Sequence, residues 1–88
     1  MEKLELEHYH REQDMNNQER VKLNLEVQHL ESELKRLEGE LGRGVTSESQ
    51  AAQFKEHIAD IEHRINEHND AILRLNAEDE DLKRKIHL

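Results

Sequence analysis

The side chains with the most chemical potential in this sequence are seven histidines, His8, His10, His29, His57, His63, His68 and His87, set among 21 aspartates and glutamates. Imidazoles and carboxylates together form zinc sites, and two histidines four residues apart on one helix face are the usual start of one. No two histidines here stand four apart, His-Glu-x-x-His does not occur, and His8 and His10 fall on different faces of a helix. Solvated or seam-edge imidazoles are the expectation, with no metal site. Cysteine is absent, which removes thiolate ligands and a disulfide framework alike. Gly42-Arg43-Gly44 follows a helical pattern rather than a strand, and it lacks the spacing of a phosphate-cradling loop. Carboxylates become acids and bases in concave apolar pockets, which a helical rod does not offer. No enzyme and no cofactor are expected.

The elements that carry these residues are written in the apolar pattern. Only 33% of the chain is hydrophobic and 39% is charged, too little apolar material for a globular core. Such a balance suits disorder, but the apolar residues recur with a steady 3.5-residue period, which is the composition and rhythm of coiled coils. The absence of proline leaves helices uninterrupted. A net charge of −8, with 2% aromatics and no basic stripe, argues against nucleic acid and against an anionic membrane surface. Lys83-Arg84-Lys85 is explained by the acids at 79–81, as i,i+4 pairs Asp79–Lys83, Glu80–Arg84 and Asp81–Lys85 beside the negative end of a helix. The expected partner is protein. No membrane span, secretory leader or Asn-x-Ser/Thr sequon is visible, so an intracellular setting, cytoplasmic or nuclear, is the default.

Residues 1–41 form the first heptad unit. Leu41, Leu34 and Val27 occupy a, and Leu37, Leu30 and Leu23 occupy d. The same phase carried toward the N-terminus puts Arg20, Gln13 and Leu6 at a and Asn16 and Tyr9 at d, a polar seam. All the g positions are glutamate: Glu5, Glu12, Glu19, Glu26, Glu33 and Glu40. This stripe is either a solvated face or a selector of the neighbouring strand. Residues 42–46 are a glycine turn, followed by Ser47-Glu48-Ser49-Gln50, which matches a capping box, with Thr46 as an alternative cap. Residues 47–88 form the second unit: Ala51, Ile58, Ile65, Ile72 and Ile86 at a, Phe54, Ile61, Leu75 and Leu82 at d, with His68 and Asp79 as polar seam positions.

The two heptads are out of phase, which a straight rod could absorb only by local overwinding at the glycines. A turn is simpler. The predicted fold is therefore all-α, with two long helices of about 2–41 and 47–87 in an antiparallel coiled-coil hairpin able to dimerise into a four-helix bundle. The alternative is a long parallel two-stranded coil with a stammer at 42–47, which would stack Arg20 on Arg20 and Asp79 on Asp79. Three antiparallel registers, one heptad apart, stack a on d, and the middle one centres the turn on Gly44. It sets Leu37 against Ala51, Leu34 against Phe54, Leu30 against Ile58, Val27 against Ile61 and Leu23 against Ile65. Farther out it brings Arg20 to His68, Asn16 to Ile72, Gln13 to Leu75 and Tyr9 to Asp79. At the flanks it brings Glu26 to Arg64 and Glu5 to Lys85. Arg20 beside His68 would be a pH-sensitive layer, since protonation there adds like charge.

Leu4, Met15, Val21, Leu25 and Leu73 fall off the seam and are candidate partner contacts. With Ile72, Leu75, Leu82 and Ile86 poorly matched in that register, the end away from the turn is the expected docking end. The pattern resembles coiled-coil stretches of cytoskeletal, centrosomal, trafficking and chromosome-maintenance proteins, and Met1 set directly before a helix is expected of a segment of a longer protein. The functional expectation is a scaffold or assembly module that forms a homodimer or joins a hetero-complex. The alternative is a rod or stalk segment of a larger cytoskeletal, motor or chromosome-associated protein.

Overall fold

In the computed structural model, which describes residues 2–44 and 47–87, the chain turns back on itself. Helix α1 runs Lys3–Gly42 and helix α2 runs Glu48–Ile86, and they pack side by side as an antiparallel pair. Forty residues at 1.5 Å each span about 60 Å, and the molecule measures 67 × 14 × 13 Å. The parallel rod does not occur.

The helix ends follow from local chemistry. α1 continues one residue beyond the predicted limit, through Gly42, and Arg43 closes it with its N–H on the Gly39 carbonyl at 3.1 Å. Gly44 then takes φ 91°, a left-handed conformation that a Cβ would disfavour. Ser47 caps α2, its Oγ accepting from the Gln50 N–H at 3.2 Å. The alternative cap, Thr46, lies outside the described residues. At the far end the basic residues stand in the last turn of α2, beside the exposed carbonyls.

The core is a thin strip. Among the described residues, Val27, Leu37, Ile61 and Leu82 are the buried apolar ones, with Ile61 the most enclosed at 2% exposure. The other seam residues named above, from Leu6 and Tyr9 on α1 to Leu75 and Ile86 on α2, are half-buried, and Asp79 is buried among them at 8% exposure.

The register differs from the expected one. With Tyr9 opposite Asp79, Arg20 and Asp79 would stand on the order of 16 Å apart along the axis. Their side chains instead form an ion pair of 2.9 Å. Arg20 also donates to Asn76 Oδ1 at 3.1 Å, and Glu26 reaches His68 at 2.6 Å. These contacts fit the next register that stacks a on d, one heptad along. There Leu23 lies level with Ile72, Asn16 with Asp79 and Gln13 with Leu82. The physical reason is charge. The central register leaves Arg20 against His68 and the buried Asp79 without a cation, whereas the shift gives each an opposite or hydrogen-bonding partner.

Candidate interaction surfaces

The seam divides the hairpin into two long sides, and the heptad decides which residues line each. On the first side run the e positions, where α1 carries Asn17 and Asn24 and α2 carries Asn69 and Asn76. Here Arg20 lies across the helix pair. Its guanidinium donates to Asn17 of its own helix and to Asn76 and Asp79 of the other. The side chains of Arg20 and Asp79 are mostly enclosed, at 18% and 11% exposure, so the charge is largely withdrawn from water. Withdrawal of two ions is costly and is offset only where the hydrogen bonding is dense. The guanidinium meets that condition with three acceptors. Asp79 meets it less fully, because its Oδ1 is buried without a hydrogen-bond partner among the described residues.

On the second side run the g positions and the glutamate stripe. Glu26 meets His68, and Glu33 meets His57 at 3.3 Å, so two of the six glutamates cross to α2. Glu12 instead pairs with His8 of its own helix at 2.7 Å, and Glu40 with Arg36 at 3.0 Å. Glu5 and Glu19 are exposed. The expected Glu26–Arg64 and Glu5–Lys85 contacts are replaced: Arg64 pairs with Asp60 along α2, and Lys85 lies over the Tyr9 ring at 5.7 Å from its centroid. His68 faces a carboxylate and the Arg64 carbonyl rather than Arg20. The expected like-charge layer of Arg20 and His68 therefore does not form.

The acid-to-base pairs at the end of α2 also differ from expectation. Asp79 turns inward to Arg20, and the remaining pairs are spaced by three: Lys83–Glu80 at 3.6 Å and Arg84–Asp81 at 3.7 Å. Exposed pairs of this kind contribute about 0–1 kcal/mol each.

Among the described residues, five large apolar side chains stand in solvent: Leu4, Met15, Val21, Leu25 and Leu73. Two border grooves on the glutamate side. Met15 lines one with Glu12, Asn16, Glu78, Asp81, Leu82 and Lys85. Leu25 lines the other with Glu26, His29, Leu30, Arg64 and His68. Val21 and Leu73 occupy b positions, which border the asparagine side. Leu82 is buried and Ile72 lies level with Leu23, so the far end of α2 is less open than the expected register implies.

Among the described residues no three His, Asp or Glu side chains gather as metal ligands, and no helix is long and apolar enough to cross a membrane. The sequence pattern identifies the seam and the exposed apolar positions, but the Arg20–Asp79 bond and the asparagine side escape it. The available signal is the recurrence of asparagine at e, at 17 and 24 and again at 69 and 76. Comparison with known proteins yields no matching family model, no matching curated protein and no matching solved structure.

Proposed function

We propose that this hairpin is a non-enzymatic protein–protein interaction module that assembles by self-association, as a scaffold or assembly subunit. The observation that carries this reading is the thinness of the core beside the apolar residues left outside it. Among the described residues four apolar side chains are buried, while five large ones are exposed on the outer surfaces of the same helices. A helix pair encloses one stripe per helix, and a four-helix bundle encloses wider ones. Partner helices laid along the hairpin would cover the half-buried seam edges together with the off-seam residues.

The test is mass action. Binding that favours the folded state raises the melting temperature as concentration rises. Melting of the intact chain, followed by circular dichroism from about 5 to 500 μM alongside sedimentation equilibrium, is expected to show a rising midpoint and a mass above 10.5 kDa. A constant midpoint with a monomer mass throughout would reject self-association.

A further inference from the structure

Resting on that reading, we infer that the asparagine side, flanked by Val21 and Leu73, is the surface on which a second copy of this chain docks, with the glutamate side facing outward. A chain of net charge −8 meets its own copy against electrostatic repulsion, so the interface belongs where the formal charge is least. The asparagine side provides such a place. Asn17 and Asn76 both bind the Arg20 guanidinium, which fixes them to the same side of the pair. Asn24 and Asn69 lie one heptad from them on the same helix faces, so the four amides form one uncharged stretch across both helices. Beneath them the one cation, Arg20, is already neutralised by Asp79.

Val21 and Leu73 complete the patch. They are 60% and 64% exposed and stand on opposite helices at b, beyond the row of amides. In the observed register they are nearly level with each other and with the Arg20–Asn76 contact. The patch is thus charge-depleted at its centre, apolar at its two edges, and bounded along the axis by residues of both signs: Lys3, Lys55 and Lys83 with Glu31, Glu38 and Glu62. Stable interfaces have the same plan, a core depleted of charge and a polar rim.

A primary amide carries both donor and acceptor, so asparagines facing asparagines across a two-fold axis are self-complementary. The glutamate side lacks this property. Two copies meeting there would bring the g glutamates of each α1 into one interface, a repulsion that the uncharged asparagine side avoids.

The experiment compares matched surface changes in the full chain by sedimentation equilibrium, with circular dichroism as the check on folding. Val21→Glu with Leu73→Glu is expected to weaken self-association at least about tenfold, the effect of roughly 1.4 kcal/mol. Asn24→Asp with Asn69→Asp, nearly isosteric, is expected to act in the same direction through charge alone. Met15→Glu with Leu25→Glu, on the glutamate side, is expected to change it less than about twofold. Because every altered side chain is exposed, helix content serves as an internal control, and the aspartate pair keeps the test open if the glutamate pair unfolds. Raising the salt concentration is expected to tighten the unaltered assembly by screening the net charge. Self-association that survives both asparagine-side changes and is lost on the glutamate side would overturn the assignment while leaving the module reading intact. A monomer at all concentrations would overturn both.

Discussion

Arg20 and Asp79 carry the largest opposing terms of any residue pair in the seam. Each ion loses water on burial and recovers part of that loss from the other, and Arg20 recovers more by donating to Asn17 and Asn76. Removal of one partner leaves the other charge enclosed, so Arg20→Met is expected to destabilise the hairpin by about 3 kcal/mol. Arg20→Met with Asp79→Leu, which replaces both ions by apolar groups, is expected to recover most of that loss. Urea denaturation followed by circular dichroism measures both. A single Arg20→Met change no more harmful than a surface substitution, within about 0.5 kcal/mol, would show that the pair is solvated in solution. Ile61, the most enclosed residue, sets the apolar comparison: Ile61→Ala is expected to cost about 3 kcal/mol from lost burial and the cavity left behind. At this scale the sequence is legible only in part. The heptad places Arg20 and Asp79 in the seam, but it does not say that they meet, because meeting depends on how far one helix slides along the other.

At the scale of the element, the helix boundaries follow from a few residues whose effects are of opposite sign. Gly39 lies inside α1, and a Cβ there meets nothing within 4 Å, so Gly39→Ala is expected to stabilise by about 0.5–1 kcal/mol. Gly44 has equal space but φ 91°, so Gly44→Ala is expected to cost about 1–2 kcal/mol. Ser47→Ala removes the acceptor for the Gln50 N–H and is expected to cost about 1 kcal/mol. Thermal melting of the three variants ranks them, and a stabilising Gly44→Ala would contradict the left-handed turn. The helices and their seam-facing residues are legible in the sequence because a 3.5-residue period over long stretches has no other regular solution. The register is harder to read. Sliding one helix by a heptad keeps a on d, and a connection from Arg43 to Ser47 is long enough to be asymmetric, so glycine position is a weak guide. The polar seam residues are the better guide, since Arg20 against His68 is uncomfortable and Arg20 against Asp79 is not. Cysteine cross-linking separates the two registers. Asn17→Cys with Asn76→Cys is expected to be bridged readily by a short bis-thiol-reactive linker, as both native side chains reach one guanidinium. Asn17→Cys with Asn69→Cys, adjacent only in the register centred on Gly44, is expected to cross-link slowly. The reverse order would restore that register.

For the whole molecule, the thin core and the acidic balance set the shape that any assembly can take. A hairpin 67 Å long and about 14 Å wide has little area at its ends and most of it along its sides, so growth by lateral packing buries far more surface than growth end to end. If the chain pairs as proposed, its charge of −8 favours keeping the glutamate stripe in water, where it would repel further copies and favour a closed pair over a filament. Two hairpins laid side by side would double the mass while leaving the long dimension nearly unchanged. Small-angle X-ray scattering tests this directly. The expected result at high concentration is a maximum dimension close to that of one hairpin plus its side chains, with forward scattering of two chains. A parallel rod of the same mass would instead extend on the order of 130 Å at 1.5 Å per residue. A maximum dimension near that value would mean that the chain opens at the Arg43–Ser47 connection when it assembles. The intrachain Arg20–Asp79 bond could not persist in such a rod. A thiol-reactive cross-link between Glu26→Cys and His68→Cys on the glutamate side, where the native side chains meet at 2.6 Å, locks the hairpin shut and would then abolish the assembly. With lateral packing of closed hairpins on the asparagine side, the same cross-link is expected to leave the assembly intact.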